Sequence, residues 1–167
     1  NPEPTLAAAA WFFLGESLSA RERYDEAQEA YRGVADKHKD SRFHAYALLK
    51  LGELTVRRAR ESGGDADLRT EALELLDRAR RAAATDRVRA EALFQTAEIY
   101  FRQGNFEKSA GAYGELRKNF PRDRRAREAR LQAAWAAHHA GLFAEALETC
   151  REALADAELA DNRPEWL

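Results

Sequence analysis

The chain reads as an all-α solenoid of four helix-turn-helix units, and three observations predict this. A Trp-x-x-Leu-Gly-x-x-Leu string at Trp11, Leu14, Gly15 and Leu18 is followed, twelve residues after its Gly, by the pair Ala27 and Tyr31. A small residue recurs in each first helix at Gly15, Gly52, Ala97 and Ala134, with steps of 37, 45 and 37 residues. A second small residue recurs in each second helix at Ala27, Ala72, Ser109 and Ala146, with steps of 45, 37 and 37. Small residues at fixed intervals are what two antiparallel helices need where they cross, with large residues filling the holes on either side.

The first unit covers residues 8–39, its opening helix running from Leu6 to Leu18 with Trp11 and Leu14 on the buried face. The second covers 45–84. Both small-residue series place eight extra residues between Gly52 and Ala72, and Ser62-Gly63-Gly64-Asp65-Ala66-Asp67 is Gly-rich and polar, so a longer loop near 61–68 is expected. The third unit, 90–121, is the fullest copy. It turns at Gln103-Gly104-Asn105 and stops at Pro121, where a helix cannot continue. The fourth, 127–159, turns at Ala140-Gly141-Leu142. Pro164-Glu165-Trp166-Leu167 then reads as the start of a fifth, truncated unit, which suggests a fragment of a larger protein and a possible end-to-end dimer through an uncapped last helix.

These residues resemble the tetratricopeptide repeat, whose pattern is Trp-x-x-Leu-Gly-x-x-Tyr, then Ala-x-x-x-Phe, then Pro. Unit two departs from it with Thr55 and Leu76 at the aromatic positions, and unit four with Cys150. The resemblance implies a right-handed α-solenoid whose first helices line a concave face. The strings Ala10-Trp-Phe-Phe-Leu-Gly-Glu16 and Ala47-Leu-Leu-Lys-Leu-Gly52, with the long period, look like the bacterial envelope subset. That subset includes the lipoprotein of the outer-membrane barrel-assembly machine and the periplasmic protein of the Tol-Pal system. An envelope or periplasmic location follows from it, and a cytoplasmic one otherwise.

The resemblance also nominates groove residues. One row is Phe12, Leu49, Phe94 and Leu131, for which a core role is the stronger reading. A second is Glu16, Glu53, Glu98 and Trp135; a third is Ser19, Val56, Phe101 and His138. Phe101, Trp135 and His138 are the best contact candidates. The implied function is a scaffold that binds a peptide segment or a protein subunit carrying apolar anchors and basic residues. A spacer between domains, or docking through an Arg-rich edge, are the alternatives.

Other chemistry finds little footing. Arg78, Arg80, Arg81, Arg87 and Arg89, and again Arg117 to Arg130, place cations at inter-unit turns, but the net charge is −2 and no nucleic-acid motif is present. A solvated edge near helix C-termini explains them. His138 and His139 project about 100° apart on a helix and are poorly placed to chelate one ion. Cys150 sits in the aromatic slot and is expected in the core. No nucleophile elbow, zinc-protease, phosphate-loop or dinucleotide motif exists, so neither catalysis nor a cofactor is expected. No run of apolar residues approaches the ~18 needed to span a bilayer.

Overall fold

The computed structural model describes residues 4–161, so the proposed start of a fifth unit at 164–167 lies outside the described residues. Within that range the chain is all-helical and of the α-solenoid class. The helices are α1 (Pro4–Ala20), α2 (Tyr24–Lys37), α3 (His44–Glu61), α4 (Ala66–Ala82), α5 (Asp86–Arg102), α6 (Phe106–Asn119), α7 (Arg124–Glu128), α8 (Arg130–His139) and α9 (Phe143–Asp161). They form two compact units that divide within α5, one ending at Gln95 and the other beginning at Thr96.

In the first unit the small residues sit where close packing needs them. A Cβ added to Gly15 would lie 2.6–2.9 Å from the ring of Tyr31, and one on Gly52 would lie 2.9 Å from Cδ2 of Leu76. Ala27 and Ala72, their counterparts on α2 and α4, are completely buried. In the second unit the crossing is sealed differently: the Ser109 hydroxyl donates to the Ala97 carbonyl oxygen at 3.0 Å. A serine is tolerated at a fully buried position because that bond satisfies it. At these three crossings the small residues stand where the paired helices meet.

The buried stripe of α1 is Ala8, Phe12, Gly15 and Leu18. This corrects the expectation for Trp11 and Leu14. Trp11 is 40% exposed, its ring lying beside the bare Cα of Gly33, and Leu14 is also open to solvent. Gly15 against Tyr31 fixes the rotation of the helix, and that rotation carries Phe12 inward and Leu14 outward.

Every helix-turn-helix reverses through the same device. The backbone N–H groups of Arg23, Gly64, Asn105 and Leu142 donate to the carbonyls of Leu18, Ala59, Tyr100 and Ala137, while those of Glu22, Gly63, Gly104 and Gly141 donate three residues back. This is the Schellman arrangement, which puts one residue in the left-handed region. Glycine occupies that place in three turns, at φ +76°, +71° and +77°, but in the first it is Glu22 at φ +61°. Glu22→Gly is expected to raise stability by about 1 kcal/mol, since a left-handed non-glycine residue costs roughly that much. An unchanged or lowered urea midpoint would contradict the assignment.

The extra residues of unit two do not make a long loop. α3 runs nine residues past Gly52 where α1 runs five past Gly15, and α4 begins six residues before Ala72 where α2 begins three before Ala27. Thus four of the eight residues lengthen α3, three lengthen α4, and one joins the turn 62–65. The Asp65 side chain caps the lengthened α4 by accepting from the N–H groups of Asp67 and Leu68. Helix extension satisfies the added backbone internally, which a polar loop would have to leave to water.

Candidate functional site

The acidic row does not stand as a free anionic surface. The Tyr31 hydroxyl donates to Glu16 Oε1 and the Tyr113 hydroxyl to Glu98 Oε1, each at 2.5 Å. In both cases a glutamate directly after the small residue of one helix holds the aromatic slot of its partner. Burial, then the neighbouring carboxylate, pushes both phenols above their usual pKa. In unit two Leu76 fills the slot and has no hydroxyl to offer. Glu53 is instead paired with Lys50 at 2.8 Å, and burial raises its pKa despite that pairing.

The apolar row divides as well. Phe12 is 9% exposed and packs on Tyr31, Phe43 and Tyr46, with the Phe43 ring stacked at 5.2 Å. Leu49 is buried, as is Val56. Phe94 is half-buried, and Leu131 is 72% exposed. The row is core in the first two repeats and surface in the last.

Phe101 and Trp135 come together, with ring centroids 5.1 Å apart. Around them the second unit assembles a ledge from the end of α8 and the starts of two further helices, α6 and α9. Phe106, the first residue of α6, lies 5.7 Å from Phe101 and 6.0 Å from Trp135. His139 lies 4.4 Å from Trp135 and 4.9 Å from Phe106. His138 stands at the margin, against His139 and Phe143 at 5.5 Å each. Trp135 remains 52% exposed and Phe143 is exposed too. The left-handed residues Gly104 and Gly141 make this possible, because each tight reversal sets the end of one helix beside the start of the next. Phe106, His139 and Phe143 belong to no first-helix row, so the row pattern does not reach them.

Cys150 is exposed, which corrects its expected burial. It lies with Leu131, Ala153 and Leu154 in an apolar groove bordered by Arg124, Arg127 and Arg130. Its slot is that of Tyr31, Leu76 and Tyr113, all fully buried. Among the described residues no group of three or more His, Cys, Asp or Glu side chains is arranged to hold a metal ion.

Within each unit, several of the clustered arginines are paired where they stand. Arg117 donates to the Thr149 hydroxyl at 2.5 Å and pairs with Glu152 at 2.6 Å, tying α6 to α9. Arg124 pairs with Glu128, Arg125 with Asp123, Arg80 and Arg81 with Asp77, and Arg89 with Asp86.

The tetratricopeptide-repeat pattern matches residues 13–60, 64–124 and 97–164, nearly the whole chain. The chain belongs to the tetratricopeptide-repeat family. Among solved structures it is similar to a crystal structure of MamA, at 20% identity and a TM-score of 0.72, covering 96% of this chain and 84% of that one. A second, a crystal structure of MamA protein, aligns at 20% identity and a TM-score of 0.50 over 96% of this chain and 98% of the other. No curated protein matches the sequence. At such identity the MamA likeness shows the fold of the repeats alone. Repeats of this family mediate protein–protein interaction, and no helix among the described residues is long and apolar enough to cross a membrane.

Proposed function

We propose that this chain is a non-enzymatic scaffold that binds a peptide segment or protein subunit, with its principal contact on the aromatic ledge of the second unit. The observation that carries this reading is Trp135, half exposed yet braced by Phe101, Phe106 and His139. A large ring already held in place loses little freedom on binding and supplies apolar area, the usual character of an energetic hot spot. Phe101, Trp135 and His138 are the contact residues of this reading. Glu16 and Glu98 serve the repeats by positioning tyrosines, and Phe12 and Leu49 serve the core. Leu131, exposed in the same unit, is a further apolar contact of this reading. Docking through the Arg-rich edge is the weaker alternative, because so many of its guanidinium groups have carboxylate partners. The envelope likeness rests on two short strings and adds no partner to this reading.

The test compares partner capture from source extract by the wild-type chain and by a Phe101→Ala/Trp135→Ala/His138→Ala variant of equal helicity. Capture by the wild type and its loss in the variant is the expected result. Equal capture by both would remove the ledge from the function, and no capture by either would favour a spacer.

A further inference from the structure

A different surface, in the first unit, carries its own chemistry. The turn between α2 and α3 and the turn between α4 and α5 enclose an open groove of about 920 Å³. Its floor is apolar: Phe12, Phe43, Tyr46 and Val88 line it, with Phe12 and Phe43 stacked. Phe13 extends this floor outward, exposed and edge-on to Phe43 at 5.8 Å. The rim is cationic. Lys39 and Arg42 are both exposed, and the Arg42 guanidinium lies 4.9 Å over the Phe43 ring, so a positive charge borders the apolar surface directly. Asp40 is the one carboxylate in the lining. The hydroxyls of Tyr46 and Thr85, both in the lining, stand 3.5 Å apart in a long, exposed hydrogen bond.

His44, also in the lining, has its pKa lowered by burial first and then by the charges of Arg78 and Lys39, against the opposing effects of Asp40 and Asp36. A groove with a greasy floor and a basic rim selects a ligand that is apolar and anionic together.

We propose that this groove binds an acidic peptide segment by seating an aromatic or aliphatic side chain on the half-buried rings of Phe43 and Tyr46, which Phe12 and Val88 back from the core, while its carboxylates face Lys39 and Arg42. The site is built wholly from residues of the first unit and shares none with the ledge. The ligand's charge is opposite to the one the glutamate row of first helices would select.

The test is fluorescence anisotropy on the whole chain with three labelled peptides: Asp-Glu-Phe-Asp-Glu-Leu, its twin Lys-Lys-Phe-Lys-Lys-Leu, and an acidic version with Ser in place of Phe and Leu. The acidic aromatic peptide is expected to bind about tenfold more tightly than either other, the scale of two or three partly screened charge contacts. Added salt weakens it. Lys39→Glu/Arg42→Glu, two exposed changes that leave the core intact, should lower that affinity about tenfold and favour the lysine twin. Phe43→Ala should weaken both aromatic peptides. The proposal is overturned by equal affinity for the acidic and lysine peptides, by indifference to the charge reversal, or by no binding of the acidic peptide. Loss of binding in Trp135→Ala alone would also overturn it, since that transfers the contact to the ledge. Binding of phosphatidylserine vesicles with no peptide bound would replace it with an anionic membrane surface.

Discussion

Replacing Gly15 with leucine is expected to destabilise the chain by about 3 kcal/mol, the upper range for overpacking. A single Cβ there already falls within 3 Å of three atoms of the Tyr31 ring. That ring cannot swing aside, because it is fully buried and its hydroxyl is held by Glu16. The leucine must therefore push α1 away from α2 and break the Tyr31–Glu16 bond as it does so. Urea unfolding followed by circular dichroism measures the loss. Gly111→Ala is the matched control: it lies inside α6 with open space around its Cβ, so it should gain up to about 1 kcal/mol through helix propensity alone. If Gly15→Leu left the midpoint unchanged, the crossing between α1 and α2 would be misassigned.

Tyr113→Ala and Cys150→Ala form the second test, because the two residues occupy the same place in successive repeats. Tyr113 is completely buried and donates to Glu98, so its removal opens a cavity and strips a half-buried carboxylate of a donor. A loss of about 3–5 kcal/mol is expected, as for other large aromatic truncations. Cys150 is exposed, and its replacement should change stability by less than about 0.5 kcal/mol. Similar losses from the two would mean that repeat position alone, rather than the neighbours each residue meets, decides burial.

That contrast also explains which parts of the fold were legible in the sequence. Gly15, Gly52, Ala27 and Ala72 announced the crossings because close helix approach admits no large residue, and the Gly at 104 and 141 announced the reversals because of their backbone angle. Both constraints are local and act through residue type. Cys150 misled because a slot becomes core only when another element covers it, and coverage is a property of neighbours. Glu22 was silent for a related reason: the Schellman hydrogen bonds impose the left-handed angle on whatever residue stands there. The ledge was half legible. Phe101 and Trp135 were both nominated by first-helix spacing and their rings meet, but Phe106, His139 and Phe143 join them through two turns that bring helix ends together, and no single-helix periodicity encodes that.

The lengthened hairpin of α3 and α4 shows that the repeat counts in helical turns rather than in residues. Four residues added to one arm and three to the other, each close to one turn, raise the tip Ser62–Asp65 by roughly 4.5–6 Å while returning each helix to nearly the same rotational phase. The crossing at Gly52 and Leu76 is untouched by this growth. A tip that has already been moved outward by whole turns, and that carries two consecutive glycines, is the natural attachment point for a fluorophore or an inserted epitope. It is a place where the chain can be lengthened without its neighbours being informed.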